Sequence, residues 1–350
     1  MRDLYTTHET GLQVVFSEVE RYALSQEEVF AGTPGSLTRR TKSNGSVFYS
    51  RQYYDGSGKK RELYVAGPEG SPVADEKALA LDHRIAEAAR AVASIRLLGR
   101  SGYTIADAKA QATLAILHNL GFFGAGGVLV GSHAFGALLN KLGVRAALYA
   151  TEDIDIARRE SLALPKLTRP FIDVLKDSGI EFVAVPGLPS SKPGTSYKEK
   201  GRSRFHVDLL VPSRNNTFPV VPIPELKAHA QALPYLSYLL GDTDMTALIA
   251  REGVAAILVP SAERFALHKL MVSQLRPARD AKADRDLSQA AILLAVLADR
   301  HPGAIEDAAA ALPRSARRYL ERASIALRSH LRPTYVRAWE ALDSLTARLA

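Results

Sequence analysis

The stretch GGVLVGSHAFGALLNKLGVRAALYATEDIDIA, residues 126–157, decides the fold of this chain. Its apolar run at 127–130 predicts a short buried strand, because a few consecutive apolar residues next to glycine are typical of one. Gly131 and Ser132 predict a tight turn, and residues 133–142 then read as a helix. Such a turn leaves backbone N–H groups free at the start of the helix, where they favour binding of a phosphate group.

A second strand is predicted after this helix, and it carries two carboxylates. Side chains alternate along a strand, so Asp153 and Asp155 should point to one face while Ile154 and Ile156 point to the other. Two carboxylates beside a phosphate-binding turn are what a magnesium–nucleotide site requires. The stretch therefore predicts one half of such a site.

The composition is that of a folded chain with a basic excess. The 350 residues are 47% hydrophobic, and 45 Lys and Arg against 37 Asp and Glu give a net charge of +8. The length favours two or three domains, and the charge favours a polyanionic partner such as nucleic acid or a nucleotide. The absence of cysteine excludes disulfides, thiolate metal sites and thiol catalysis.

Targeting signals are not evident in the sequence. The N-terminus is charged throughout rather than having the apolar centre of a signal peptide, and no run of about 18 apolar residues predicts a membrane span. We therefore expect a cytoplasmic protein.

The N-terminal part predicts a helix over residues 1–30 and then a basic, β-rich module. Segments rich in aromatic and β-branched residues flank Asp55–Gly58, which is typical of a hairpin. Cations and tyrosines interleave in this module: Arg39, Arg40, Lys42, Arg51, Lys59, Lys60 and Arg61 with Tyr49, Tyr53, Tyr54 and Tyr64. One interpretation is a sheet that binds RNA by stacking and phosphate contacts. The other is an ordinary sheet with aromatic residues in its core and cations outside.

Breaks rich in glycine and proline divide the chain into four predicted segments. These are an N-terminal helix with the basic hairpin module (1–74), a helical brace (75–125), a core (126–260) and a C-terminal helical domain (261–350). The predicted fold class is α+β, with a mixed sheet flanked by helices.

Within the core, further elements are predicted beyond the opening stretch. Residues 167–177 predict a helix, residues 186–202 a long functional loop, and two apolar runs at 245–250 and 254–259 a hairpin added to the core sheet.

The segment SRFHVDLLV, residues 203–211, predicts a core strand that contains a carboxylate. Alternation places His206 and Asp208 on the same face. A charge in an apolar strand is costly unless it is paired or bound to a metal, so Asp208 is a candidate third carboxylate. The alternative is an edge-strand aspartate that faces water, and His206 either contacts substrate or is an ordinary buried histidine.

This ordered set, Gly131–Ser132, Asp153-x-Asp155 and Asp208, resembles the nucleotidyltransferase fold superfamily, the group that includes DNA polymerase β. The family pattern is a Gly-Ser turn that opens a helix, an Asp-x-Asp pair on the next strand and a third carboxylate on a neighbouring strand. The resemblance implies a nucleotidyltransferase-type mixed sheet. It also implies that Asp153, Asp155 and Asp208 bind two Mg²⁺ (or Mn²⁺) ions, with Asp208 taking the proton of the attacking hydroxyl. Gly131 and Ser132 would bind the phosphates of the NTP substrate.

A second resemblance lies in the helices after the core. The segments KLMVSQLR and KADRD resemble the AbiE-type and MenT-like bacterial nucleotidyltransferases, several of which are toxins acting on tRNA. This resemblance implies that Lys269 contacts the triphosphate, that Asp286 orients Lys269 or closes the site, and that Arg276 supports phosphate or nucleic acid. An antitoxin partner is implied in the same way. The chain departs from the toxin pattern at Val272, where alanine is frequent, and at Ala283, where aspartate is frequent.

The predicted function is therefore a Mg²⁺-dependent nucleotidyltransferase of the EC 2.7.7 type, which moves NMP from an NTP to a hydroxyl. RNA, for example a tRNA 3′ end, is the favoured acceptor because of the net charge and the basic N-terminal module. Two alternatives stay open. One is the same chemistry on a protein or a small molecule, and the other is an inactive fold that serves as a binding module.

Overall fold

The chain folds into helices and several sheets, which confirms the predicted α+β class. The computed structural model describes residues 3–147, 152–187, 189, 192–214, 217–277 and 280–349. Its α-helices are α1 (Thr10–Ser25), α2 (Pro72–Arg100), α3 (Ala108–Asn119), α4 (Gly131–Lys141), α5 (Phe171–Leu175), α6 (Leu236–Leu239), α7 (Ala262–Leu275), α8 (Ala281–Arg300), α9 (Ala304–Ala310), α10 (Arg317–Leu331) and α11 (Val336–Leu349).

The strands follow the same order along the chain. They are β1 (Tyr5–Thr7), β2 (Ser36–Thr41), β3 (Val47–Tyr54), β4 (Lys60–Ala66), β5 (Gly127–Val130), β6 (Val144–Ala146), β7 (Asp153–Arg158), β8 (Phe182–Val185), β9 (Ser196–Glu199), β10 (His206–Pro212), β11 (Val220–Ile223), β12 (Ala228–Leu233), β13 (Thr243–Ala250) and β14 (Gly253–Pro260). Short 3₁₀ turns lie at Lys176–Ser178, Pro224–Leu226 and Arg314–Ala316.

The central sheet has the strand order β11-β12-β10-β7-β5, and β8 and β9 extend it beside β10. The strand β10 runs parallel to β7, whereas β5 runs antiparallel to β7. Along β10, Val207, Leu209 and Val211 are buried, and the residues between them are partly exposed. The sequence alternation therefore leaves one face of this strand for polar side chains.

Several sequence-based expectations for secondary structure were wrong. Residues 186–202 are not one long loop, because β9 lies within them and pairs with both β8 and β10. Buried Tyr197 anchors β9 against the ring of Phe171, and this one aromatic residue is hard to detect among polar neighbours. The helix expected over 167–177 is only the short α5, followed by a 3₁₀ turn.

The hairpin of β13 and β14 is present, but it forms a sheet of its own and is not added to the core sheet as expected. Residues 246–250 and 254–257 are all buried, so both faces of the hairpin are covered. On one face Ala247 and Ile249 pack with Phe16 of α1 and Leu98 of α2. Because helices already cover it, the hairpin needs no further strand as a neighbour.

The N-terminal segment contacts distant parts of the chain. The prediction of a helix over residues 1–30 was wrong in part, because β1 precedes α1. Strand β1 pairs with β6, the Leu4 backbone N–H donates to the Tyr335 hydroxyl, and the Tyr5 hydroxyl donates to Asp299. Arg300 donates to both the Thr7 hydroxyl and the Leu142 carbonyl. The start of the chain is thus fixed between the core and the C-terminal helices.

Many cations of the basic N-terminal module have partners within the protein. The Arg51 guanidinium lies between the Phe30 and Tyr53 rings, 4.0 and 4.2 Å from their centroids, and donates to two backbone carbonyls. Three more form ion pairs: Arg39 with Glu69, Arg40 with Glu62 and Arg61 with Asp55. RNA binding by this module stays a prediction, with Lys42, Lys59 and Lys60 as its other cations.

Asp55 fixes the turn of this module that lies against the 3₁₀ turn before β8. One of its carboxylate oxygens accepts hydrogen bonds from the Ser57 and Lys59 backbone N–H groups and from the Ser57 hydroxyl, and the other accepts from Arg61 at 2.6 Å. The next residue, Gly56, donates its backbone N–H to the Ser178 carbonyl. The turn is therefore fixed both internally and against the core.

No helix among the described residues is both long enough and apolar enough to span a bilayer.

We expect Asp55→Ala to lower the free energy of unfolding by about 2 kcal/mol or more, because it leaves several donors without an acceptor. Asp82→Ala, at an exposed position of α2, is the matched control and should change stability by less than about 0.5 kcal/mol. Urea unfolding at pH 7 measures both. Equal stability of the two variants would contradict the role assigned to Asp55.

The same pair of proteins gives a pH dependence. Burial raises the pKa of Asp55, but hydrogen bonds from Ser57 and Arg61 outweigh it and hold the pKa below its ordinary value. The stabilisation is therefore present above the unfolded-state pKa of about 3.9 and is lost as the pH falls through the folded-state pKa. The stability difference between wild type and Asp55→Ala should shrink below about pH 4.

Candidate active site

Parallel pairing of β7 with β10 brings the three predicted carboxylates onto one face of the central sheet. Asp155 lies directly opposite Asp208, and Asp153 lies opposite His206. On the other face of the same strands, Ile154 is fully buried. The structure therefore brings together the carboxylates that sequence alternation placed on separate predicted strands.

The Gly131 turn lies against this carboxylate row. The end of β5 pairs with β7 so that Val130 is opposite Asp155, and Gly131 then begins α4 with a φ of +68°. A Cβ at Gly131 would lie 2.0 Å from Asp155 Oδ2. Glycine is therefore required here for the backbone to approach the carboxylate. Ser132 follows in the first turn of α4, where the backbone N–H groups have no partner within the helix.

The pKa of Asp155 is shifted by its surroundings. Burial raises its pKa to about 6, and the neighbouring charge of Asp208 adds to the shift, followed by that of Asp153. The Lys269 ammonium acts in the opposite sense and lowers the pKa of Asp155. This places the charge of Lys269, which comes from α7, within reach of the carboxylate row.

His206 lies between two of the carboxylates. Its Nδ1 is 3.2 Å from Asp153 Oδ1 and its Nε2 is 3.4 Å from Asp208 Oδ2. A hydrogen bond to Asp208 raises the pKa of His206 to about 9; burial opposes this, while the Arg204 carbonyl and the charges of Asp208 and Asp153 add to it. His206 is therefore an imidazolium at neutral pH, and its charge partly neutralises the row.

The donor set suits a divalent metal ion, although the ligands do not converge on one point. Carboxylate oxygens are the ligands that Mg²⁺ and Mn²⁺ prefer, and Asp155 is a buried carboxylate with Asp208 and Asp153 as negative neighbours, so a bound cation would favour its charged form. Yet in the part of the chain that the structure describes, no three His, Asp or Glu side chains are arranged to hold a metal ion. His206 occupies the space between Asp153 and Asp208. Metal binding by the three aspartates thus stays a prediction.

Asp286 of α8 binds two of the predicted site cations, Lys269 of α7 and Arg276 at the C-terminal end of α7. Its carboxylate accepts from Lys269 Nζ at 2.6 Å and from Arg276 Nε at 2.7 Å. Asp286 is only 2% exposed, so these contacts satisfy a buried charge. The Lys269 ammonium also lies 5.3 Å from the centre of the Phe265 ring, one helical turn earlier. Lys269 is therefore held by an aspartate and an aromatic ring, and its charge acts on Asp155.

Sequence reasoning missed two residues on the site face. Pairing of β9 with β10 places Lys198 opposite His206 and Ser196 opposite Asp208. The sequence feature that could have predicted this strand is the single apolar residue Tyr197 between polar residues. The neighbouring lysines made the segment resemble a loop.

His133, in the first turn of α4, is a further neighbour of the site. Its Nε2 is buried and has no hydrogen-bond partner among the described residues. Burial lowers the pKa of His133, against the opposing charges of Asp107 and Asp153. The ring is therefore neutral, and no role can be assigned to it from its contacts alone.

A cleft of about 770 Å³ opens where β7 and β10 begin. It is bounded by the 56–58 turn of the N-terminal module, the start of α3, Glu152 and the segment 202–205. Arg202 and Arg204 are exposed in this lining. The N-terminal module thus contributes its turn, rather than the face of its sheet, to the surroundings of the site.

Gly131→Ala tests the close approach between the turn and Asp155. Gly126→Ala is the control, since Gly126 also has a positive φ, +95°, but open space around its Cβ position. We expect the control to cost about 1–2 kcal/mol from backbone strain alone. Gly131→Ala should cost at least about 1 kcal/mol more, because the added methyl group displaces Asp155. Chemical denaturation measures the difference, and equal losses would argue against the clash.

Asp286→Ala tests the buried charge cluster. Removing the shared carboxylate leaves two cations without their acceptor, so we expect a loss of about 3 kcal/mol in the free energy of unfolding. Asp284→Ala on the exposed side of the same helix should stay within about 1 kcal/mol of wild type. A small effect at Asp286, equal to that at Asp284, would contradict the structural role of the cluster.

Comparison with known proteins agrees with this geometry. A family described as nucleotidyltransferase matches residues 109–313, which is more than half of the chain and includes the Gly131 turn, the three aspartates, Lys269 and Asp286. No match was found among curated proteins or among solved structures. The family is one of transferases that move a nucleotidyl group and use an NTP as substrate. The chain therefore belongs to a nucleotidyltransferase family.

Proposed function

We propose that this protein is a Mg²⁺-dependent nucleotidyltransferase that moves NMP from an NTP to a hydroxyl group of RNA. The observation that carries the proposal is the row of Asp153, Asp155 and Asp208 on paired strands, with the Gly131 turn on one side and the charge of Lys269 within reach. Nucleotidyl transfer develops negative charge on the reacting and leaving phosphate oxygens, so it needs cations at both places; the three aspartates would supply one kind as ligands of Mg²⁺, and Lys269 supplies the other through its ammonium group.

In the proposed reaction the acceptor hydroxyl oxygen attacks the α-phosphorus of the NTP. The bond between the α-phosphorus and the oxygen that bridges to the β-phosphate breaks, and pyrophosphate leaves. Asp208 accepts the proton of the hydroxyl, as a positioned carboxylate can. The backbone at Gly131 and Ser132 binds the β- and γ-phosphates, and Lys269 balances the charge on the leaving pyrophosphate.

Asp153, Asp155 and Asp208 would hold Mg²⁺, which would neutralise the triphosphate and polarise the reacting oxygens. His206 would then have to leave the space between Asp153 and Asp208. Asp286 contributes by fixing Lys269, since the pair is buried and hydrogen bonded at 2.6 Å. Arg276, the second partner of Asp286, is a positioning group in this scheme.

RNA is proposed as the acceptor on the basis of charge. The net charge is +8, and Arg202 and Arg204 line the cleft at the start of β7 and β10. A tRNA substrate, and a toxin with an antitoxin partner, would be specific cases of this proposal. They rest on the resemblance in α7 and α8.

The proposal predicts that label from an α-³²P-labelled NTP becomes attached to RNA when the protein is incubated with Mg²⁺, total RNA and each of the four NTPs in turn. Asp153→Asn should reduce the transfer by about 100-fold or more, since it removes a charge from the reacting centre. Asp284→Asn, an exposed aspartate outside the site, is the control and should act like wild type. Chelation of the metal with EDTA should stop the reaction.

Each other outcome has a defined meaning. No labelled product from any NTP, or equal labelling by wild type and Asp153→Asn, would refute the proposed function. Label on a protein or on a small molecule instead of RNA would keep the chemistry and replace the acceptor.

A further inference from the structure

Two long segments of this chain carry a large excess of positive charge. Residues 314–337 contain seven arginines and one glutamate, a net charge of +6, and residues 33–68 contain seven cations and two acids, a net charge of +5. The total for the chain is +8, so the remaining residues are together acidic by three charges. These two segments are therefore candidate contacts for a polyanion, in addition to Arg202 and Arg204 at the cleft.

The C-terminal of these segments, residues 314–337, presents its cations on one side of a helix. Tyr319, Leu320, Ala323, Leu327 and Leu331 of α10 are buried against the other C-terminal helices. The exposed side carries Arg318, Arg322, Ile325 and Arg328, with Arg332 as the C-cap and Arg314 in the turn before the helix. At 3.6 residues per turn, positions 318 to 332 of this set fall within a stripe about 120° wide. We call these six residues the α10 arginine face.

The cations of the α10 arginine face have no acidic partner in the part of the chain that the structure describes. The one glutamate of the segment, Glu321, pairs with Arg317, which lies beside the face. Arg318 lies 4.7 Å from the centre of the Tyr319 ring and donates to its hydroxyl, so its charge is not neutralised. This differs from the N-terminal module, where four of seven cations are in ion pairs or held between rings.

From these contacts we infer that the α10 arginine face binds the phosphate backbone of a nucleic acid. All of its cations are arginines, whose planar guanidinium groups form paired hydrogen bonds with phosphate oxygens. An anionic membrane is the less suitable partner, since the face exposes a single large apolar side chain, Ile325, which is 75% exposed. A helix that inserts into a membrane surface has a whole apolar face.

This inference deepens the proposed function, because it names a surface through which an RNA acceptor would be bound. It does not depend on turnover, however, because phosphate contacts contribute to affinity whether or not a nucleotide is transferred. A measurement of binding can therefore fail or succeed independently of the transfer assay.

The test uses the full chain and fluorescently labelled tRNA, with fluorescence anisotropy measured over a series of salt concentrations. The variant is Arg318→Glu with Arg322→Glu, and the control is Arg21→Glu with Arg96→Glu, which reverses two exposed helical arginines elsewhere. Both double variants lower the net charge by four, so they differ only in where the charge is lost. Arg318→Gln with Arg322→Gln repeats the test without adding negative charge.

We expect the variant of the α10 arginine face to weaken tRNA binding about 10-fold or more at 100 mM salt, and the control to change it less than about 3-fold. The slope of log Kd against log salt should fall by about 1.4 for the two lost contacts on a single strand, at about 0.7 for each. A thermal melt within a few degrees of wild type would show that the variants are folded.

Three results would overturn the inference. Unchanged binding by the folded α10 variants would exclude the face, and an equal loss in the control would assign binding to overall charge. Binding to vesicles that contain phosphatidylserine, without binding to tRNA, would assign the face to a membrane surface instead.

Discussion

Asp155 and Asp208 lie directly opposite each other on parallel strands, where both are partly buried, and the burial and mutual repulsion of these two carboxylates are the constraint on which the site depends. Two like charges in such a place are stable only if positive charge or protons come to them. Burial raises the pKa of Asp155, and the repulsion from Asp208 adds to the shift. The charges of Lys269 and His206 act in the opposite sense and lower the pKa of Asp155. The three aspartates are thus negatively charged neighbours, and His206 and Lys269 balance only part of their charge.

The second part of this balance lies in the C-terminal helices. Lys269 reaches the carboxylates from α7, but it is Asp286 of α8 that fixes it, together with Arg276. Because Asp286 is buried, its two cations cannot move far without leaving a charge unpaired. The charges of the three aspartates and of the residues on α7 and α8 therefore depend on one another, although these residues are far apart in the sequence.

Much of this site could be predicted from local sequence patterns, because alternation along a strand determines which side chains share a face. Alternation placed the Asp153 and Asp155 pair and Asp208 correctly, and Gly131 was recognised as a turn. What could not be seen were effects of three-dimensional neighbours. The strand β9 depends on the contact of Tyr197 with Phe171, and the independence of the β13–β14 hairpin depends on α1 and α2 covering it. His206 was noticed, but its position between two carboxylates follows from strand register alone.

The sequence also does not show which charged side chains are paired within the protein. The N-terminal module has the composition of a nucleic-acid-binding surface, yet Arg51 is held between two rings and Arg40 pairs with Glu62. The segment around α10 has the composition of an ordinary amphipathic helix, yet its arginines have no acidic neighbours among the described residues. Composition counts charges, whereas only the fold shows which of them have partners.

The pairing of β1 with β6, and the contacts of Leu4, Tyr5 and Thr7 with residues near 300 and 335, have a consequence for synthesis of the protein. Contacts that join residues more than 290 positions apart cannot form during synthesis until residues 299–335 have been made. Lys269 and Asp286 also emerge late. A nascent chain therefore has Asp153, Asp155 and Asp208 before it has Lys269, and its N-terminal contacts form only after Tyr335 has been made.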